Sequence, residues 1–290
     1  MEVITKELVK SILPKRDADA NKYSVGSLLC VVGSYGFAGA GVLSLRGALR
    51  SGVGFVRSVC PESIYGILSA GVPEAVFVPS KETDEGRISG ESIGDIVKLS
   101  RKANSVLLGC GLGLCKDTEE LVCALLNYVK APVVLDADGI NAVSSHIDVL
   151  KERKFPTVLT PHEGEMSRLT GLTSEYIRKN RQKAASEFAK EYGVTLVLKG
   201  KDTVIADESG KCFQNPTGNS GMAVAGSGDV LAGMIASFIA QGAVPFEGAI
   251  SGVYLHGLSG DICKEEFSEY SLLPSDIVEN IPNAIKEVIN

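Results

Sequence analysis

A chain of 290 residues with 44% hydrophobic content carries enough apolar mass for one large α/β domain or two small ones. Its formal net charge of −6 argues against a general nucleic-acid or anionic-membrane surface and favours small-molecule partners, although a local basic pocket for phosphates is compatible with that total. Glu2, Lys6, Glu7 and Lys10 interrupt the first turns, so the apolar core of a secretory signal is missing there, and the most apolar stretch, residues 222–244, is broken by Asp229 and Gln241 as a buried core segment would be. The expected location is the cytoplasm. The seven cysteines, at 30, 60, 110, 115, 123, 212 and 263, form no C-x-x-C pair, which points to reduced and mostly buried thiols rather than a disulfide framework or a zinc site.

Taken in chain order, residues 2–13 read as a short amphipathic helix stopped by Pro14, followed by a charged link over 15–22. Residues 27–32 are an unbroken apolar run, the pattern of a parallel strand covered on both faces. Gly33, Gly36, Gly39 and Gly41 then lead into a helix through Leu43, Leu45, Ala48 and Leu49. This strand, glycine turn and helix lack the G-x-G-x-x-G spacing and the acidic residue about 20 positions on that a dinucleotide-binding Rossmann site uses. The glycines either admit a ligand close to the backbone or let the helix pack near the sheet.

Further strands are expected over 55–60, 75–78 and 105–108, the last running into Gly109, Gly111 and Gly113. Glycines at the carboxyl end of a strand stand where open α/β sheets hold ligands. A helix near 117–130 precedes a strand over 132–135 that ends in Asp136 and Asp138, suited to capping a helix or to ordering water or magnesium around phosphates. The strand over 157–159 delivers Thr160, Pro161, His162, Glu163, Gly164 and Glu165; His162, on the same rim as the glycine turns and flanked by two acids, reads as a ligand contact. Helices over 174–192, a strand over 195–198, the turn Lys199, Gly200, Lys201, Asp202, Thr203, and strands at 204–206 and 212–213 read as a small antiparallel meander on the sheet edge. No P-loop motif, linker or repeat occurs, so a single domain over 1–290 is expected, with a mainly parallel sheet covered by helices on both faces.

The chemistry is expected at residues 215–233. Asn215, Pro216, Gly218, Asn219 and Gly221 approach a turn, Gly226-Ser227-Gly228-Asp229, that opens a helix marked by Val230, Leu231, Met234, Ile235, Phe238 and Ile239. Small residues at Ala232, Gly233, Ala236 and Ser237 allow close approach to another backbone. The first turn of such a helix offers free N–H groups and a positive dipole end, so Gly226, Ser227 and Gly228 form a candidate anion hole. A carboxylate beside a bound phosphate is repelled by it, so Asp229 is well placed there only if it takes the proton from a hydroxyl that reacts with that phosphate. The competing reading makes Ser227 or Asp229 a helix cap.

Taken together, NPTGN, AGSGDVLAG, VLDADGIN, LTPHEGE, LKGKDT and GSYGFAGAG in this chain resemble the NAD(P)H-hydrate dehydratases of the ribokinase-like superfamily, from about Leu8 onward. The resemblance implies a ribokinase-like three-layer α/β sandwich and repair of hydrated NADH or NADPH, with ADP or ATP as phosphate donor and Mg2+ as cofactor. It makes Asp229 the general base; Ala40, Gly111, His162 and Asp229 the hydrate contacts; Lys199, Gly200, Lys201, Asp202, Thr203 and Gly228 the nucleotide contacts. Where neighbouring kinases carry asparagine followed three positions later by glutamate, this chain has His162 and Glu165, and Glu165, with Asp136 or Asp138, is the candidate for ordering magnesium. Ala225, where a second glycine is frequent, and Asn21, where a histidine is frequent, depart from the pattern and bear on loop geometry alone. The resemblance further implies a homo-oligomer, a tetramer, with no N-terminal epimerase domain and a separate epimerase partner. The alternatives are a ribokinase-like kinase of a small alcohol or vitamin precursor, and an inactive nucleotide-binding scaffold.

Overall fold

Alternate residues of each central strand drop into two different apolar cores, and this is what makes the fold three-layered. Leu28 and Cys30 lie in one core with Leu107, Val134, Val158 and Val197, while Leu29 and Val31 lie in the other with Leu108, Leu135, Leu159 and Leu198. A strand buried on both faces has no polar alternation, which is why these strands read as short apolar runs in the sequence.

The computed structural model describes residues 1–290. Ten strands form one sheet: β1 (Glu2–Val3), β2 (Ser27–Val31), β3 (Phe55–Pro61), β4 (Val76–Ser80), β5 (Ser105–Leu108), β6 (Val133–Leu135), β7 (Thr157–Leu159), β8 (Thr195–Leu198), β9 (Val204–Ala206) and β10 (Cys212–Gln214). Their spatial order is β1-β10-β9-β8-β7-β6-β5-β2-β3-β4. Pairing is parallel from β8 through β7, β6, β5, β2 and β3 to β4, and antiparallel at β8–β9 and β9–β10. Strand order reverses between β2 and β5, so the loops leaving these two strands diverge and open a crevice at their carboxyl ends. The first core is closed by the helices Ala38–Arg50, Ser227–Ala240, Pro245–Ser271 and Pro274–Ile289, and the second by Lys116–Tyr128, Glu163–Thr170 and Arg181–Tyr192. No helix is long and apolar enough to cross a membrane.

Two expectations are corrected in detail. Residues 2–13 are not one helix: Glu2 and Val3 pair in parallel with Phe213 and Gln214, and the helix starts only at Lys6, where the Thr5 hydroxyl accepts the Leu8 N–H at 3.2 Å. The antiparallel meander is therefore not the outermost element, because β1 lies beyond it. The helices expected over 174–192 are Ser174–Lys179 and Arg181–Tyr192, separated at Asn180 by a non-helical backbone (φ −130°, ψ 37°).

Candidate active site

The crevice between β2 and β5 is sealed at its floor by backbone. Gly33, at φ +79°, donates its N–H to the Cys110 carbonyl at 2.8 Å, and the Ser34 hydroxyl donates to the Gly111 carbonyl at 2.8 Å. Gly111 sits at φ +64°, and a Cβ there would stand 2.8 Å from the Ala40 Cβ and 3.0 Å from the Phe37 Cβ. Only glycine fits, and the requirement brings Ala40 and Gly111, 71 residues apart by subtraction of their numbers, into one surface.

Helix Ser227–Ala240 enters this crevice because its small face lies on helix Ala38–Arg50 backbone to backbone. A Cβ on Gly233 would meet the Ser44 carbonyl oxygen at 2.0 Å, and one on Gly47 would meet the Val230 oxygen at 2.7 Å. Gly226 precedes the helix at φ +100°. The Ser227 N–H is used by the Val224 carbonyl at 3.3 Å and its buried hydroxyl lies 3.3 Å from His256 Nε2, whereas the N–H groups of Gly226, Gly228 and Asp229 have no protein acceptor. Ser227 thus faces the fold, and the amides open to an anion are those on either side of it.

Lys199, at the end of β8, reaches this helix start: its Nζ stands 3.2 Å from the position a Cβ on Gly228 would take. The ammonium donates to Asp136 Oδ1 at 2.7 Å and lies 3.9 Å from Glu165 Oε2. Thr160 donates to the same Asp136 oxygen at 2.6 Å, and the Cys110 thiol faces the other oxygen at 3.6 Å. The side chains of Lys199 and Asp136 are 18% and 2% exposed, so the pair is shielded from solvent, where removing either partner would leave the other as an uncompensated buried charge. Burial opposes charge on Lys199, yet Asp136 and Glu165 hold its pKa above the ordinary lysine range.

Asp229 and Glu165 lie on the other side of that balance. Burial, and then the neighbouring Asp136 carboxylate, push Asp229 up to about 7, with Lys199 opposing. Burial likewise raises Glu165 to about 7 against the pull of Lys199. One ammonium serves three carboxylates, and the two farther from it carry the deficit. An acid poised near neutrality at the mouth of an anion site has the properties of a general base.

His162 stands at the N-terminus of helix Glu163–Thr170 and closes a capping box. Its Nδ1 accepts the Gly164 and Glu165 N–H groups at 2.9 and 3.3 Å, and Glu165 accepts the His162 N–H at 2.7 Å. The ring is 54% exposed and lines, with Gly164, Ser174, Arg178, Lys199 and Gly200, a groove of about 480 Å³ to which no hydrophobic residue contributes. Burial, then the Lys199 and Arg168 charges, lower its pKa, so the ring is neutral at physiological pH and free to accept from the helix amides. Gly200, Lys201, Asp202 and Thr203 form the β8–β9 turn, with the Arg181 guanidinium 3.0 Å from the place of a Gly200 Cβ and the Thr203 hydroxyl bonded to the Gly200 carbonyl at 2.9 Å. Lys201 and Asp202 are exposed. Asp138 is drawn away from Lys199, its carboxylate accepting the Gly113 N–H at 2.8 Å.

The structure therefore gathers Ala40, Gly111, Asp229, Gly228, Lys199 and Glu165 at one strand-end rim, with His162 and the 200–203 turn along the groove beside it. It adds groups that the sequence did not single out: Cys110 and Thr160 on Asp136, Arg181 above Gly200, and His256 behind Ser227. Thr160 is the second residue of the LTPHEGE motif, directly after the strand end, which was the available signal.

The model of a family described as NAD(P)H-hydrate dehydratase matches residues 28–283, spanning every element of the site. The chain belongs to that family. Among NAD(P)H-hydrate dehydratases it is 33% identical over 282 residues to the ADP-dependent (S)-NAD(P)H-hydrate dehydratase of Bacillus subtilis, covering 97% of each chain. It is 41% identical over 275 residues to the bifunctional NAD(P)H-hydrate repair enzyme of Thermofilum pendens, which covers 94% of this chain but only 52% of that protein. The chain thus spans about half the length of the bifunctional relatives. The crystal structure of the ADP/ATP-dependent NAD(P)H-hydrate dehydratase from Bacillus subtilis, co-crystallised with ATP and Mg2+, superposes with a TM-score of 0.85 at 30% identity, covering 99% of this chain and 98% of that one. A hydroxyethylthiazole kinase from Pyrococcus horikoshii, at 16% identity and a TM-score of 0.63, shares the fold alone. The family fold is thus the expected ribokinase-like α/β sandwich.

Proposed function

We propose that this chain dehydrates the S-epimer of hydrated NADH or NADPH, using ADP or ATP as phosphate donor. The observation that carries the reading is Asp229: a carboxyl held near pKa 7, beside the Ala40–Gly111 surface, at the head of a helix whose free amides and adjacent Lys199 ammonium would hold a terminal phosphate. Asp229 takes the proton from the hydrate hydroxyl as its oxygen attacks that phosphorus, and the bond to the remaining nucleotide breaks, giving a phosphate ester and AMP or ADP. The Gly228 and Asp229 amides and Lys199 stabilise charge on the transferred group, a kind of contact worth ~10²–10³ in rate. The ring nitrogen lone pair then expels phosphate from carbon, and loss of a proton from the adjacent carbon restores the ring double bond. Fixed donors and an oriented base do most of this work by positioning.

The residues present suit Mg2+. Asp136, Glu165 and Asp229 place three carboxylates around a single ammonium, and hard oxygen donors in excess of positive charge are what this ion takes. Glu165, beside Asp136, is the residue we assign to it; bound there, the ion would neutralise phosphate oxygens. The Cys110 thiol is too soft a donor to take part.

The family reading assigns supply of the S-epimer to a separate epimerase, and the bifunctional name of the longer repair enzymes is compatible with a second activity joined to this one. The same family reading makes the protein a cytoplasmic tetramer, a mass that light scattering would report. The function is tested by incubating the protein with hydrated NADH, magnesium and either ADP or ATP and following reduced-nicotinamide absorbance. Recovery with one nucleotide supports the reading and names the donor. A stable phosphate ester from another alcohol, with no recovery from the hydrate, would instead make the protein a kinase.

A further inference from the structure

A loop from the far edge of the sheet reaches back to the crevice. After β4, Glu82 and Ile88 pair as an antiparallel bridge around a tight turn in which the Thr83 N–H donates to the Arg87 carbonyl at 2.8 Å and the Gly86 N–H to the Thr83 carbonyl at 2.8 Å. Gly86, at φ +71°, gives its carbonyl to the Tyr35 N–H at 3.0 Å, and a Cβ there would stand 2.4 Å from the Tyr35 Cβ. The turn lies flat on the loop that follows β2.

From it Arg87 enters the space between the two glycine loops. Its Nη1 donates to the Ser34 hydroxyl and to the Tyr35 carbonyl, both at 2.8 Å, and its guanidinium lies 5.6 Å from the centre of the Phe37 ring. A Cβ on Gly113 would stand 2.2 Å from Arg87 Nε, so the β5 loop passes directly against the side chain. That Nε is buried without a protein partner. Ser34, in turn, donates to the Gly111 carbonyl, so two hydrogen bonds connect Arg87 to the backbone of the proposed hydrate contact. Phe37, whose Cβ lies 3.0 Å from the Gly111 Cβ position, immediately precedes the helix that carries Ala40.

We propose that Arg87 is a positioning residue for the hydrate side of the site: it locks the Ser34–Phe37 turn onto the Gly111–Gly113 loop and thereby fixes the surface made by Ala40 and Gly111. A planar guanidinium bridges a hydroxyl and a carbonyl while lying near an aromatic ring, a combination that an ammonium on a flexible stem does not reproduce. The nucleotide side rests on Lys199, Gly200 and the helix start, none of which touches Arg87. Loss of the guanidinium is therefore felt by one substrate only.

The inference has a part that rests on the dehydratase reading and a part that does not. In Arg87→Met, which keeps the length and loses every donor, the KM for hydrated NADH rises ~10-fold or more while the KM for ADP or ATP and kcat stay within about twofold, and Arg87→Lys recovers only part of the loss. Independently of any substrate, hydrogen exchange in peptides covering residues 33–37 and 109–113 accelerates in Arg87→Met, while the peptide covering 226–229 exchanges as in the native protein. Native exchange at both glycine loops would overturn the positioning role, and so would an equal rise in both KM values. If the native protein leaves hydrated NADH untouched, the dehydratase reading fails, and the exchange measurement alone decides the role of Arg87.

Discussion

Asp229 is asked to be ionised when it acts and is held where ionisation is costly. The rate-limiting base form appears only as pH rises through about 7, so kcat/KM should fall about tenfold per pH unit below that point and level off above it. Asp229→Asn should keep nucleotide affinity and lower kcat by ~10²-fold or more. The same carboxyl makes a stability prediction of definite sign. Its folded pKa lies above its unfolded value of about 4, so its contribution to folding is favourable in acid and is lost as pH climbs from about 4 through 7. Asp229→Asn should therefore melt above the native protein at pH 8 and together with it at pH 4. Near-native turnover in the variant, or a lower melting point at pH 8, would remove Asp229 from the role. The carboxyl itself was legible because a glycine turn followed by a helix-period pattern fixes where an acid stands. Its setting was not: Lys199 and Asp136 are 63 residues apart, and no spacing rule links the ends of β8 and β6. The Cys110 thiol read simply as a buried cysteine, since only the sheet order places it beside two carboxylates.

At the scale of elements, the site depends on two helices whose backbones touch. Gly233→Ala adds a methyl 2.0 Å from the Ser44 carbonyl oxygen and 3.0 Å from the Ala48 nitrogen, neither of which is the end of a flexible side chain. Alanine would gain about 1 kcal/mol in helix propensity, but overpacking against fixed backbone costs ~1–3 kcal/mol and wins. Gly94→Ala supplies the control. Gly94 is an exposed position in the first turn of helix Ile93–Ser100 with open space around it, so there the propensity gain should appear without a packing cost. Urea denaturation of the two variants should move in opposite directions, and a stabilised Gly233→Ala would mean the helices can separate freely. The small residues at 232, 233, 236 and 237 announced this contact, since a helix face without side-chain bulk is useful where another backbone comes close. The strand Glu2–Val3 announced nothing: two residues on a sheet edge are too few to show a period, and the surrounding charges imitate an amphipathic helix. The loop from Asn215 to Met222 read as part of a site because of its glycines, yet much of its geometry serves docking. Thr217 bonds the Tyr254 carbonyl, Gly218 and Asn219 bond Asp261, and Gly257 and Gly260 leave room for Thr217 and Met222.

For the molecule as a whole, what matters is that no single segment contains the site. Ala40, Gly111, Asp136, Glu165, Lys199 and Asp229 come from the segments that follow β2, β5, β6, β7 and β8 and from the helix Ser227–Ala240, and they meet only after the strand order has been set by both cores. A ligand that binds there recognises the finished fold and has no counterpart in the unfolded chain. Mass action then gives about 2.7 kcal/mol of stabilisation at a nucleotide concentration of 100 times Kd, and a chain of this size moves roughly 2 °C in Tm per kcal/mol, so ADP or ATP with magnesium should raise Tm by roughly 5 °C. Asp229→Asn should show the same rise, because the carboxyl is assigned to proton transfer and not to holding the nucleotide. Lys199→Met should lose the rise and also melt lower without ligand, since Asp136 would be left as a buried charge with only Thr160 and Cys110 against it. If Asp229→Asn lost the nucleotide-dependent rise while Lys199→Met kept it, the two residues would exchange roles: Asp229 would belong to the binding of nucleotide and its metal, and the base would have to be sought in Glu165, the other carboxyl held near 7.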